Sequence, residues 1–195
     1  TGLAPSRITA VGFVGKTHPI EVEDEVSAIL EYPNGAIGHF ITSTGEAPGT
    51  NRLEIVGDRG KIIAEAGKLH FTRTRESIRK VRETSAEAFA HVDAWEIDIP
   101  IPTSSVEGHK AVTQNFVDAI LHKEPLIAPG VEGLKQLELG NAIAMAALTR
   151  RPVELPLDSQ AYDEFLEEMK RVYGGRKTLK ADPDALADIS KSFKH

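Results

Sequence analysis

The sequence contains no cysteine, which removes disulfides, thiolate nucleophiles and Cys-ligated zinc together and fits a reducing cytoplasm, the expected location. It has no apolar run near the ~18 residues that a membrane-spanning helix needs. Positive charge is in deficit: 23 Lys and Arg against 29 Asp and Glu leave a formal charge of -6. Binding to phosphate backbones or anionic membranes wants a basic footprint, so neither nucleic acid nor membrane is an expected partner. Small molecules and protein surfaces are. Repeats and low-complexity segments are missing. So are an initiator Met and any charged-then-apolar signal pattern in Thr1-Gly2-Leu3-Ala4-Pro5-Ser6-Arg7, and Thr1 is read as something other than a natural start.

What is present suits a globular chain. With 195 residues, 41% apolar and 27% charged, one substantial core is expected. We expect one domain over residues 1–175 and, over 176–195, a polar tail or an arm with one short helix after Pro183.

The first half reads as strands. Ile8 to Val14, Val22 to Tyr32 and Ala36 to Thr44 are three, the last two joined by a Pro33-Asn34-Gly35 turn. Arg52 to Val56 and Lys61 to Glu65 flank the hairpin loop Gly57-Asp58-Arg59-Gly60, and Lys68 to Thr72 follows. About six consecutive strands predict an antiparallel meander. On the second strand Val22, Val26, Ala28 and Leu30 share one parity, and Glu21, Glu23, Glu25 and Glu31 the other. The third is apolar on both faces, with Ala36 and Phe40 against Ile37 and Ile41.

Helices dominate the second half. After an ambiguous basic stretch from Arg75 to Ala90 and a strand from Val92 to Ile101, helical spacing covers Val106 to Lys123, Val131 to Arg150 and Asp158 to Tyr173. The middle helix carries small residues from Gly140 to Ala147, which permit close packing. Strands first and helices after predict an α+β fold: a mostly antiparallel open sheet with helices packed on one face. A doubly apolar strand asks what covers the other face, and an oligomer interface is the simplest answer.

Four segments carry a resemblance. They are Asp24 to Gly38 (Asp-Glu-Val-Ser-Ala-Ile-Leu-Glu-Tyr-Pro-Asn-Gly-Ala-Ile-Gly), Arg52 to Ile62 (Arg-Leu-Glu-Ile-Val-Gly-Asp-Arg-Gly-Lys-Ile), Asn115 to Leu121 with Glu124-Pro125-Leu126, and Arg151 to Pro156. Each alone is weak. In this order and spacing the chain resembles, over nearly its whole length, the C-terminal domain of the glucose-fructose oxidoreductase / inositol dehydrogenase / rhizopine catabolism (Gfo/Idh/MocA) family. The resemblance implies an N-terminal Rossmann domain binding NAD or NADP in the parent protein, and a C-terminal open sheet that supplies substrate contacts and subunit interfaces. A Rossmann fingerprint needs a glycine triplet in a strand-to-helix turn. The nearest pairs here, Gly12 with Gly15 and Gly57 with Gly60, lack the third. The family's Glu-Lys-Pro lysine and Asp-x-x-x-His pair are also missing in their proper context. Lys123-Glu124-Pro125 has the letters in another order, and Asp118 with His122 falls in the segment resembling a peripheral helix. We expect no catalytic, cofactor-binding or metal-binding residue in this chain.

By the same resemblance the loop of residues 45–51, with Arg52 after it, reaches the substrate cleft. Candidate substrate contacts are Glu46, Thr50, Asn51 and Arg52, whose polar groups suit sugar or polyol hydroxyls, with His109 near the start of a helix as a further one. Asp24 sits on the apolar parity of its strand and needs a partner, for which a structural arginine is expected. His18, His39, His70, His91 and His195 show no ligand spacing, and the run of Arg73, Arg75, Arg79, Lys80 and Arg82 reads as solvated surface. Two functions remain open at this point: half of an NAD(P)-dependent dehydrogenase of sugars, inositol or related polyols, or a stand-alone assembly or ligand-binding module of the same fold. A glycosidase is set aside because no carboxylate pair stands out.

Overall fold

A computed structural model describes residues 2–87, 89–101 and 108–174. The described residues form two compact units, one from residues 2–45 and 128–174, the other from those within 46–127.

The first unit is built on a sheet of β1 (Arg7–Val14), β2 (Glu23–Glu31), β3 (Ile37–Ser43) and the two-residue β8 (Val153–Glu154), in the order β3-β2-β1-β8 and antiparallel throughout. Period-two alternation puts Ile8, Ala10, Val26, Ala28 and Leu30 on one face, where α3 (Gly130–Thr149) covers them with Ala142, Ile143, Ala146 and Ala147. The small-residue run is what lets helix and sheet approach. A Cβ on Gly12 would lie 2.9 Å from the Cβ of Ala147, so the close crossing uses glycine on the strand as well as alanine on the helix. Helix α3 ends with Arg150 in the left-handed region; its guanidinium donates to the Gly12 carbonyl and lies 5.1 Å from the centre of the Phe13 ring. Helix α4 (Ser159–Tyr173) starts on an Asp158 cap whose carboxylate accepts from the Ala161 N–H, and it buries Phe165. The other face of this sheet carries Val11, Phe13, Ile29, Ile37 and Ile41, all partly or largely exposed.

In the second unit β4 (Arg52–Gly57), β5 (Gly60–Glu65), β6 (Lys68–Thr74) and β7 (Ala94–Ile99) form an antiparallel meander in sequence order, with helices α1 (Ile78–Thr84) and α2 (Gly108–His122) in the same unit. Register gives this sheet one apolar face, from Leu53 and Ile55 to Ile97 and Ile99, and one charged face. Among the described residues of this unit, Thr74 is buried and no apolar side chain is.

The α+β class with open antiparallel sheets is as expected. The strands divide rather than forming one meander: β3 is an edge, and the chain from Gly45 to Asn51 makes no ladder before β4 opens a second sheet. The ambiguous basic stretch contains α1, capped by Ser77, whose side chain accepts from the Lys80 N–H. Strand β2 begins at Glu23, so Val22 falls outside it and is largely exposed. The expected tail over 176–195 and the start of the helix at Val106 lie outside the described residues.

Candidate functional site

Glu46, Thr50 and Asn51 lie in the connection between β3 and β4, and all three are exposed. Arg52 opens β4 and is clamped by carboxylates. Nη2 donates to Glu54 at 2.6 Å and Nη1 to Glu65 across the hairpin at 2.7 Å, with Lys61 Nζ 3.7 Å from Glu54. These bonds raise the Arg52 pKa above its already high ordinary value and hold the Glu54 carboxyl below its own. Arg52 is thus a fixed, charge-balanced donor rather than a free cation. His109 is the second residue of α2 and exposed; its carbonyl accepts from the Thr113 hydroxyl at 2.8 Å. Loop residues and Arg52 are therefore contiguous in the chain, while no hydrogen bond among the described residues joins His109 to them.

Asp24 has surroundings that differ from expectation. It is buried, 3% exposed, but its partners are not an arginine. Its carboxylate accepts the backbone N–H groups of Lys16 at 3.0 Å, Thr17 at 2.6 Å and His18 at 2.9 Å. Led by the His18 amide, these bonds hold its pKa down to about 2 against the opposing effect of burial. The reason is the register. Phe13 pairs with Glu25 and Val14 with Glu23, which leaves Asp24 the extra residue of a bulge, beside the β1–β2 connection that supplies the amides. Backbone donors satisfy a buried carboxylate as well as a guanidinium does, and composition does not reveal them.

His70 is the group that sequence spacing missed. Its Nδ1 lies 2.9 Å from Asp98 and its Nε2 2.5 Å from Glu96, which also accepts from the Thr72 hydroxyl at 2.9 Å. On β7, Asp98 is directly opposite His70 and Glu96 is opposite Thr72, diagonal to the ring; together they raise the His70 pKa, Asp98 most. The signal was alternation, His70 and Thr72 matched by Glu96 and Asp98. It becomes legible only once the pairing across residues 75–93 is known. Among the described residues no three His, Cys, Asp or Glu side chains are grouped to hold a metal ion.

Helix α2 is tied to the segment that follows it. Asn115 of α2 donates to the Pro125 carbonyl and accepts from the Ile127 N–H, fastening the segment Glu124-Pro125-Leu126 to the helix. Asp118 accepts from Gln114, one turn earlier. In the basic run, Arg75 sits 5.2 Å from the centre of the Trp95 ring, and Asp58 accepts from both the Ser77 hydroxyl and the Arg79 N–H. The glycine pairs do not suit a dinucleotide. Gly12 is inside β1 with Gly15 just beyond it, and Gly57 and Gly60 bracket the β4–β5 hairpin; neither is a turn from strand into helix. What the exposed loop can supply is hydrogen bonding to hydroxyl groups.

Comparison with known proteins places these features. The model of an oxidoreductase family's C-terminal alpha/beta domain, GFO_IDH_MocA_C, matches residues 5–155. Among solved structures, the aldose-aldose oxidoreductase of Caulobacter crescentus, complexed with glycerol, is 22% identical with a TM-score of 0.58, over 80% of this chain and 42% of that one. The WlbA dehydrogenase of Bordetella pertussis, in complex with NADH and UDP-GlcNAcA, is 22% identical with a TM-score of 0.55, over 79% and 41%. UDP-N-acetylglucosamine 3-dehydrogenase GnnA of Acidithiobacillus ferrooxidans is 17% identical with a TM-score of 0.57, over 75% and 41%. These likenesses show the fold, and the chain spans about two fifths of each structure. The family match covers most of the chain, and the chain belongs to the C-terminal domain family of the Gfo/Idh/MocA oxidoreductases.

Proposed function

We propose that this chain is the substrate-side and oligomer-forming half of an NAD(P)-dependent dehydrogenase that oxidises or reduces a secondary hydroxyl of a sugar, inositol or related polyol. One observation carries the reading: a C-terminal-domain match over residues 5–155 in a chain that spans 41–42% of sugar-handling oxidoreductases of the same fold. The residues present do not fit NAD or NADP, because neither glycine pair stands at a strand-to-helix turn. Cofactor and catalytic lysine and histidine would come from a Rossmann domain, this chain's partner, and no chemical step is assigned here. The chain's own work is to bind and orient. Glu46 accepts from substrate hydroxyls, Thr50 and Asn51 donate and accept, and Arg52 donates from its carboxylate clamp, with His109 a further contact. A site matched to hydroxyls rejects analogues that leave its polar groups unpaired. The open face of the first sheet, bearing Val11, Ile29 and Ile41, is the homo-oligomer contact. The working compartment is the cytoplasm.

The coding sequence upstream of Thr1 is the first test. A strand, a Gly-rich turn, a Glu-Lys-Pro and an Asp-x-x-x-His pair there support the reading, whereas a start codon close before Thr1 leaves a stand-alone module. The longer protein should then reduce NAD or NADP with at least one of a panel of aldoses, inositols and nucleotide-linked sugars, followed by absorbance. The isolated chain should show no NAD(P)H binding by fluorescence titration, and micromolar affinity would overturn the division of labour.

A further inference from the structure

The connection between β1 and β2, residues 15–22, is held from inside by one carboxylate. Three amides converging on Asp24 make a small anion nest, and no other element supplies a comparable set of bonds to residues 16–18 among the described hydrogen bonds. The same residues brace the end of β3. Thr44 donates its N–H to the Asp24 carbonyl at 2.9 Å and its hydroxyl to that oxygen at 3.3 Å, and the hydroxyl is 3.1 Å from His18 Nδ1. Gly45 lies so close to Thr17 that a Cβ there would stand 2.5 Å from Thr17 Oγ1 and 2.7 Å from its methyl group. The loop of residues 45–51 leaves the sheet at this point.

We infer that Asp24 is a positioning residue: by capturing the amides of residues 16–18 it fixes Thr17 and His18 against Thr44 and Gly45, and so sets where the loop of residues 45–51 departs. Its relevance to substrate rests on the proposed function above; the brace on Thr44 and Gly45 does not. Asp24→Asn replaces one acceptor oxygen by an NH2 group that meets N–H donors, so the nest loses part of its satisfaction. Gly45→Ala drives a methyl group into Thr17 and disturbs the same contact with Asp24 intact.

Hydrogen exchange on this chain decides the matter. In Asp24→Asn, protection should fall roughly tenfold or more at residues 16–18 and also at 44–46, with α3 unchanged. Loosening confined to residues 16–18 overturns the inference. Should Asp24→Asn fail to fold, Gly45→Ala should loosen residues 44–46 alone, and Thr17→Gly added to it should restore them; an indifferent Gly45→Ala also overturns the brace. In the longer enzyme Asp24→Asn should raise KM for the most rapidly used sugar of the panel about tenfold with kcat within about twofold, whereas plain loss of folded protein lowers kcat alone. If Asn51→Ala leaves that KM unaltered while exchange at residues 44–46 still responds to Asp24→Asn, the substrate loop is refuted and the brace stands.

Discussion

In the first unit the alanines of α3 lie on β1 and β2, and ten side chains of that layer are sealed from water; in the second, a sheet of equal strand number keeps its apolar face half-buried to exposed and joins its strands by charge on the other. Both sheets have alternating sequences. They differ in having a helix with small residues at the contact. Apolar burial contributes about 25 cal/mol per Å², so the covered sheet carries most of the chain's own stability. The charged ladder of Arg52, Glu54, Glu65, His70, Glu96 and Asp98 sets register and contributes less, because exposed ion pairs are screened by water and salt.

The sharpest way to break this contrast is a matched pair of truncations. Ile8→Ala removes a side chain with 0% exposure and should cost about 2–5 kcal/mol in a denaturant melt. Ile55→Ala, 44% exposed in the second unit, should cost under about 1 kcal/mol. Equal losses would mean that the second sheet is as sealed as the first. Next in size is Gly12→Ala. The added methyl group meets Ala147 at 2.9 Å, and overpacking of this kind costs about 1–3 kcal/mol. Ala147→Gly in the same chain should return a large part of that loss; without recovery the helix–strand crossing is not the cause.

A third comparison sets the two open faces against each other. Ile41→Asp charges the exposed face of the first sheet, where Ile41 is 72% exposed, and little change in monomer stability is expected. If that face is the homo-oligomer contact, the mass by light scattering should fall to that of a smaller species. Leu53→Asp, on the apolar face of the second sheet, should leave the mass unchanged. The reverse result would move the interface to the second unit.

Much of this fold was legible in the sequence because periodicity reports local burial. The parity of Val26, Ala28 and Leu30 and the small residues from Gly140 to Ala147 both gave the right faces, since each is decided within one element. What was not legible depends on pairing between distant segments. The partition into two sheets turns on where β3 stops pairing, and the His70 cluster on a register set across residues 75–93. The nest around Asp24 depends on a bulge, and its backbone donors have no residue signature. Of the proposed site, the loop and Arg52 were named from resemblance alone, because exposed polar residues carry no periodic signal of their own. The clamp on Arg52 was missed in the sequence because Glu65 faces it only through the hairpin register.

The smallest effect expected is on the charged face, and it has a definite sign. Asp98, then Glu96, raise the His70 pKa above its ordinary value of 6.5 in the folded chain. Folding therefore favours the protonated ring. The stabilisation is complete below about pH 6.5, the value in the unfolded chain, and is lost as pH rises through the higher folded value. Its size is limited because Asp98 is 97% exposed at its side chain, and 1 M salt should reduce it further. NMR titration of the His70 ring should give a midpoint above that measured in urea, and the denaturant midpoint should fall slightly as pH is raised past the folded value. His70→Gln should remove that part of the pH dependence while leaving the Ile8 core untouched. A ring that titrates at its unfolded value would show that the carboxylates of β7 do not hold it in solution, and the second sheet would then lack the charge pairing that distinguishes it from the first.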